Sequence, residues 1–442
     1  MKKPKLIDLS QYANSVNSVK TMKISGRVTE LTGILVKAVV PGVRMGEICL
    51  IKGLTSSNPI KSEVVGFRGE EVLLMPLGDM SGIGSDSEVV PTHESLRVGV
   101  GPHLLGRVLN ALGEPLDFKT KGSLNCRNYY PVHAEPPDPL ERTRITKKLS
   151  VGVRSIDTLL TVGEGQRIGF FAAAGVGKST LLGMIARNTE ADINVIALVG
   201  ERGREVREFL EQDLKEDGLK RSVVIVATSD SPSLLRLKAA YTATAIAEYF
   251  RDQGKKVMLL MDSVTRFARA QREIGLAIGE PPARQGYTPS VFSTLPKLLE
   301  RSGNSDKGSI TAFYTILVAG DDIQEPVADE TLAILDGHII LSRDLASKGH
   351  YPAIDVPRSI SRVMENIVDQ DHLQSARKLR EVLATYEKER DLILVGAYEE
   401  GSDPRVDYAI EKIDSVNEFL KQKVNEKFSM MDSLKKLKGL FK

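Results

Sequence analysis

Apolar residues recur along this chain in three rhythms, each predicting a different kind of element. Between about Ile24 and Val90 they come in short runs, ISGRVTEL, ILVKAVVPG, EICLIKG and SEVVGFRGEEVLLMPLG, each broken by Gly or Pro. Short strands at nearly even spacing with such punctuation build a small barrel or sandwich. After a loop-rich bridge holding PVHAEPPDPLERTRI, the pattern changes. QRIGFFA, NVIALVG, SVVIVAT, KVMLLMD and ITAFYTILVA are apolar runs of strand length, several of them separated by amphipathic stretches. That alternation predicts a mostly parallel sheet covered by helices. From about Ile367, HLQSARKLREVLATYEKERDLILVG and DYAIEKIDSVNEFLKQKV space their leucines for helices, predicting a compact helical region. The last stretch, SMMDSLKKLKGLFK, sets Met430, Leu434, Leu437 and Phe441 on one face and lysines on the other. Such an end lies on a membrane surface or packs against its own domain.

Composition narrows the class. A chain of 442 residues, at roughly 150 residues per domain, holds two or three domains. Apolar residues make up 41% and charged residues 27%, ordinary globular usage. Sixty basic against 58 acidic residues leave +2, which gives no global reason to expect nucleic acid as a partner. The barrel segment also lacks interleaved aromatics for base stacking, so an assembly role is expected for it. Cys49 and Cys126 stand far apart without a CxxC or His-Cys cluster, which supports neither a disulfide framework nor a zinc site. The charged start MKKPKLIDLSQYANSV has no apolar core behind it, and no run reaches the roughly 18 apolar residues of a span, so the chain reads as cytosolic. Lys2, Lys3 and Lys5 form a basic arm for a regulator or anionic lipid, or a solvated, fraying end.

Candidate chemistry begins where QRIGFFA runs into AAAGVGKSTLLGMIARN, a strand, a glycine turn and a helix. A phosphate chain needs inward-turned backbone N–H groups, a lysine for the terminal phosphates and a hydroxyl for Mg²⁺. The loop Ala173, Ala174, Gly175, Val176, Gly177, with Lys178, Ser179 and Thr180, supplies them. Ala172 replaces the usual first glycine of GxxxxGK[ST]. Glu201 ends the run NVIALVGE, at the sheet edge where ligands of open α/β sheets bind. It is placed there to orient water on a terminal phosphate, or to pair with Arg202 or Arg204. KVMLLMD ends in Asp262, as a Walker-B strand presents a carboxylate to the Mg²⁺ shell, and Arg266 follows one helical turn on. Arg362, in SISR, lies far from the loop in sequence and has no evident local role.

With GYTPSVFSTLPKLLERSG, EPVADETLAILDGHIILSR and PAIDVPRSIS, these elements resemble the catalytic subunits of rotary ATPases, most closely the export ATPases of flagellar and type III secretion systems. The resemblance covers nearly the whole chain. It implies an α/β RecA-like P-loop core with a mostly parallel sheet, after a small N-terminal β-barrel and before a helical C-terminal domain. Expected boundaries are 1–93, 94–366 and 367–442.

Carried over, the resemblance has Lys178 and Ser179 hold phosphate and Mg²⁺, Glu201 activate water, Asp262 support the metal, Arg266 contact the γ-phosphate, and Arg202 belong to the same site. Arg362 aligns with the arginine that a neighbouring subunit inserts into the ATP site. Possession of both Glu201 and Arg362 favours a homohexamer. The implied partners are a central coiled-coil stalk, a peripheral regulator, secretion chaperones and substrates, and the inner-membrane export gate, whose cytosolic face would be the working place. Leu373 follows His372 where an aromatic would stack on adenine, so base stacking is expected to be weak or supplied elsewhere. VGAYEEGSDPRVDYAIEK matches the export pattern and argues against an ATP synthase subunit; AAAGVGKST favours the injection type over the flagellar one. A hexameric RNA translocase is the remaining alternative, disfavoured by charge and by the aromatic-poor barrel.

Overall fold

The computed structural model describes residues 24–53, 58–318 and 324–441. The basic arm at Lys2, Lys3 and Lys5 lies outside them. The chain divides into two compact units, residues 1–95 and 96–442.

In the first unit, β1 (Gly26–Thr32), β2 (Leu35–Val39), β3 (Glu47–Lys52), β4 (Ile60–Arg68), β5 (Glu71–Pro76) and β6 (Glu88–Ser95) close a barrel in the order β1-β2-β5-β4-β3-β6. Its interior is filled by small and β-branched side chains, among them Val28, Val36, Ala38, Ile51, Val64 and Val89. Closure removes free sheet edges, which short strands of this composition would otherwise expose.

The second unit is built on a nine-stranded sheet. Its main strands are β7 (Val108–Asn110), β8 (Arg167–Ala172), β9 (Ile193–Glu201), β10 (Ser222–Thr228), β11 (Lys256–Asp262), β12 (Ser309–Leu317), β13 (Gly337–Leu341) and β14 (Ile360–Ser361). They lie in the order β14-β13-β8-β12-β11-β9-β10-β7, parallel except for the pairing of β14 with β13. The short strand Gly303–Asn304 adds an antiparallel pair to β12. Every residue of β9 is buried, because a parallel strand sheathed on both faces has no solvent side and reads as a continuous apolar run. The five apolar runs read from sequence are the five central strands. β7, β13 and β14 were not assigned as strands there; β7 and β14 are too short for a pattern to register.

Four helices matter for the site and its surroundings: α1 (Lys178–Asn188), α2 (Ser233–Asp252), α3 (Val264–Ile278) and, toward the C-terminus, α4 (Gln370–Leu394). α2 is alanine-rich and buried nearly all round, so it serves as a core helix against β9, β11 and β10. α4 and α5 (Pro404–Leu420) form an antiparallel hairpin, followed by α6 (Met430–Gly439). Each starts at a side-chain cap: Asp369 accepts from the His372 N–H, Asp403 from Arg405 N–H, and Ser429 from Asp432 N–H. α6 decides between the two readings of the amphipathic end. Leu437 is fully buried, and Leu434 and Phe441 pack on the same core, so its apolar face is used within the unit. Among the described residues, no helix is long and apolar enough to cross a membrane.

Candidate active site

The phosphate loop leaves β8 after Ala172 and enters α1 at Lys178. Gly175 and Gly177 hold φ of 82° and 84°, the left-handed region that side chains disfavour. Ala172 is still strand, with negative φ, so the absent first glycine costs this backbone nothing. The loop turns the amino end of α1 toward the carboxyl ends of the strands, where N–H groups and the helix dipole favour an anion. Ser179 is exposed on the first turn. Thr180 instead hydrogen-bonds the Asp213 carboxyl.

Four charged side chains converge beside this loop. The Lys178 ammonium donates to Asp262 Oδ1 and lies 3.8 Å from Glu201 Oε1. Arg266 Nη1 lies 3.0 Å from Glu201 Oε2 and donates to the Gly200 carbonyl. Asp262 ends β11, and Thr315, on the intervening strand β12, donates to its Oδ1 at 2.7 Å. The strand that separates β8 from β11 therefore supplies the hydroxyl that aims the Walker-B carboxylate. Ser263 caps α3 by accepting from the Arg266 N–H at 3.3 Å, which fixes the turn that carries Arg266 back over β9.

Glu201 owes its position to a bulge. The register of β9 against β10 shifts between Val199 and Glu201, leaving Gly200 at φ 69°. A Cβ there would stand 2.9 Å from Arg266 Cδ, so glycine is needed for both reasons. Burial is the main cause that pushes the Glu201 carboxyl up to about 7. Hydrogen bonding with Glu205 and the Asp262 charge act in the same direction, against Lys178 and Arg266. Glu205, the partner that keeps the charge, is lowered.

The structure brings together Lys178, Glu201, Asp262 and Arg266. Arg202 is outside that cluster, exposed and paired with Glu205 at 3.0 Å, so Glu201's cationic neighbours are Lys178 and Arg266 rather than Arg202 or Arg204. Arg362 is elsewhere again. It follows the edge strand β14, exposed, its N–H bonded to Asp336 O at 3.0 Å and Nη2 to Leu332 O at 3.3 Å. Ser361 pairs with Gly337 at the start of β13, whereas the loop leaves β8 opposite the end of β13. Arg362 thus stands at the far end of the sheet from its own P-loop.

A cavity of about 690 Å³ opens beside the loop, lined by Gly175, Gly177, Tyr351, Pro352, Gln422 and Val424 among others. Leu373 is not part of its lining, and His372 is buried with Nε2 2.7 Å from Thr158 O. Any base in this cavity would therefore be stacked by a side chain other than that at position 373. The aromatic at this cavity is Tyr351, whose ring would be 3.4 Å from a Cβ on Gly177. It stands one residue ahead of the quoted motif PAIDVPRSIS, where its aromatic character was the available signal. Gln422 gave none.

A parallel sheet with one strand between the P-loop strand and the strand ending in the acidic residue defines a RecA-like P-loop nucleoside triphosphatase. Comparison with known proteins makes the class specific. Residues 152–361 match the ATP synthase alpha/beta family nucleotide-binding domain, 28–93 its beta-barrel domain, and 368–439 the T3SS EscN ATPase C-terminal domain. The flagellum-specific ATP synthase of Bacillus subtilis (strain 168) is 56% identical over 444 residues, covering 100% of this chain and 99% of the relative. The type 3 secretion system ATPase of Xanthomonas euvesicatoria is 53% identical over 401 residues, covering 91% and 90%. The assembled ATPase EscN of the enteropathogenic E. coli type III secretion system superposes with a TM-score of 0.88 at 46% identity, over 94% of this chain and 99% of that one. A second structure, EscN in complex with its central stalk EscO, gives 0.87 at 46% identity, with the same coverage. The chain belongs to the ATP synthase alpha/beta family, in its branch of type III export ATPases, and is an ATPase.

Proposed function

We propose that this chain is the ATP-hydrolysing motor of a type III protein secretion system, working as a homohexamer that strips chaperones from substrates and promotes their unfolding and export. The observation that carries the hydrolytic part is the buried meeting of Lys178, Asp262, Glu201 and Arg266 beside the phosphate loop. In this reading, the loop and Lys178 bind the phosphates, Glu201 accepts a hydrogen bond from the attacking water and orients it, and Arg266 faces the γ-phosphate. Tyr351 lies against the base. Arg202 is assigned a supporting place, holding Glu205 beside Glu201.

Magnesium fits the donors present. Among the described residues, no group of three or more His, Cys, Asp or Glu could hold a metal; the start of α1 offers one exposed hydroxyl, Ser179, and the end of β11 one buried carboxylate, Asp262. Mg²⁺ bound with phosphates keeps several waters and takes few protein oxygens. Ser179 would hold the ion and Asp262 its water shell, and the ion would neutralise phosphate charge.

The helical region 367–442 is the proposed contact for stalk, chaperone and substrate. The last turn of α4 and the residue after it expose Leu392, Leu394 and Val395, the last 75% exposed, an apolar tip suited to a protein partner. The relative EscN is known with its central stalk EscO, and a coiled-coil stalk is assigned here by that likeness. Residues 1–93 serve ring assembly, and the export gate and a peripheral regulator place the ring at the cytosolic face of the inner membrane. A flagellar export apparatus is the second reading, favoured by the Bacillus relative. Crosslinking in native cells, purification and mass spectrometry test both. Injection-type stalk, sorting-platform and chaperone proteins are expected; flagellar rod and hook substrates would move the assignment to the second machine, and ATP synthase subunits or RNA would overturn both.

A further inference from the structure

The segment joining α5 to α6, residues 421–429, forms one wall of the cavity beside the phosphate loop, and a single glutamine fastens it. Gln422 is only 4% exposed. Its Oε1 accepts from the Arg154 N–H at 2.8 Å, and its Nε2 donates to Gly152 O at 3.0 Å and Glu426 O at 3.1 Å. Its own backbone N–H donates to Tyr351 O at 3.0 Å. The partners fix the amide's orientation: two carbonyls require the NH₂ and one N–H requires the oxygen. Both amide hydrogens are taken by backbone, so the side chain is not free to read a bound base.

The surrounding contacts repeat the pattern. Arg154 donates to Phe419 O at 2.8 Å and lies 4.0 Å from the Phe428 ring centroid, holding both ends of the strap. Arg187, in α1, donates to Val424 O at 2.9 Å, and Lys215 donates to Asn425 Oδ1 at 2.9 Å. The Arg187 and Lys215 contacts are exposed, whereas the Gln422 bonds to Arg154 and Gly152, like the Arg154 bond to Phe419 O, are buried. Buried bonds whose partners would be left unsatisfied are the costly ones to lose. The strap's place against residues 152–154, and through them in the cavity wall, therefore depends chiefly on the Gln422 side chain.

We propose that Gln422 is the positioning residue of the base-binding wall, its side chain tying the strap 421–429 to residues 152–154 so that the strap stands beside Tyr351 and the cavity is preformed for a nucleotide base. This rests on the reading of the cavity as the ATP site. It assigns Gln422 to the affinity for the base rather than to the phosphate chemistry, since none of its bonds reaches Lys178, Glu201, Asp262 or Arg266.

The test compares a ligand that has a base with one that lacks it. Full-length wild type, Gln422→Met, which keeps the volume without the bonds, and Gln422→Glu, which keeps the acceptor for Arg154 but sets a carboxylate against two carbonyls, are titrated with Mg-ATP and with Mg-tripolyphosphate. Losing one or two buried hydrogen bonds is expected to weaken ATP binding about tenfold and raise KM in step, with tripolyphosphate affinity and kcat within about twofold. Unchanged ATP affinity in a folded variant, or equal weakening for both ligands, overturns the proposal; the second result is what a merely structural role gives. Should the Met variant fail to fold, the Glu variant carries both arms alone. A wild type that binds ATP no better than tripolyphosphate would instead remove the base site, and with it the reading beneath the proposal.

Discussion

Glu201 is a carboxyl group held between two cations and two other acids, and its burial decides the outcome. With its pKa pushed up to about 7, the free enzyme carries it protonated below neutrality, when it is a much weaker acceptor for the attacking water's proton. The sign follows directly: kcat/KM, which reports the free enzyme, is expected to rise with pH through about 7 and then level. A steady-state profile from pH 5.5 to 8.5 in constant ionic strength checks this, and a flat acid limb would show that Glu201 is ionised throughout. Gln keeps the size and loses the charge. Glu201→Gln is expected to lower kcat by about 10² to 10⁴, the usual weight of a positioned base, while ATP binding measured by calorimetry persists. Retained hydrolysis would remove Glu201 from its role.

At the scale of elements, the site is made by how three strands end. β8 ends in the loop, β11 in Asp262, and β9 in a bulge that delivers Glu201; β12 runs between the first two and steadies Asp262 through Thr315. Gly200→Ala tests the bulge. A side chain at φ 69° costs about 1–2 kcal/mol, and the added methyl meets Arg266. The variant is therefore expected to shift the denaturation midpoint down and to lower kcat more than ATP affinity. An unchanged kcat would mean that Arg266 does not need its present path. Much of this was legible in the sequence, because strand-end residues follow apolar runs that mark their own strands: Glu201 and Asp262 close such runs, and Lys178 follows one across the glycine turn. Strand order was not legible, since contiguity in space leaves no periodic trace, and so Thr315 went unnoticed inside ITAFYTILVA. Tyr351 and Gln422 were missed for the same reason. They come from loops whose place depends on tertiary contacts up to 270 residues away in sequence, and Leu373 was followed instead because it neighbours a histidine. Arg202 looked like a member of the site by adjacency to Glu201, yet alternation at a strand end turns consecutive side chains opposite ways, and its guanidinium points to solvent.

For the whole molecule, Arg362 sets the terms. The five residues of β13 separate its end of the sheet from the phosphate loop, on the order of 15 Å at strand rise, so within one chain it does not meet the γ-phosphate. If a neighbouring copy supplies it, the working unit is an interface, and a lone protomer has only half of a site. Turnover per chain is then expected to rise with protein concentration as rings form, and Arg362→Ala to lose about 10³- to 10⁵-fold in kcat at every concentration, as loss of an arginine finger does. Mixing variants gives the sharper test. Arg362→Ala chains keep Glu201, and Glu201→Gln chains keep Arg362, so each is inactive in rings of its own kind. In mixed rings, a site on an Arg362→Ala chain beside a Glu201→Gln neighbour has both parts. Random assembly of equal amounts makes about a quarter of all interfaces complete, and a corresponding fraction of wild-type ATPase activity is expected to return on mixing. Mixed rings that form, as shown by mass, but stay inactive would mean that Arg362 and Glu201 do not complete one site across the interface.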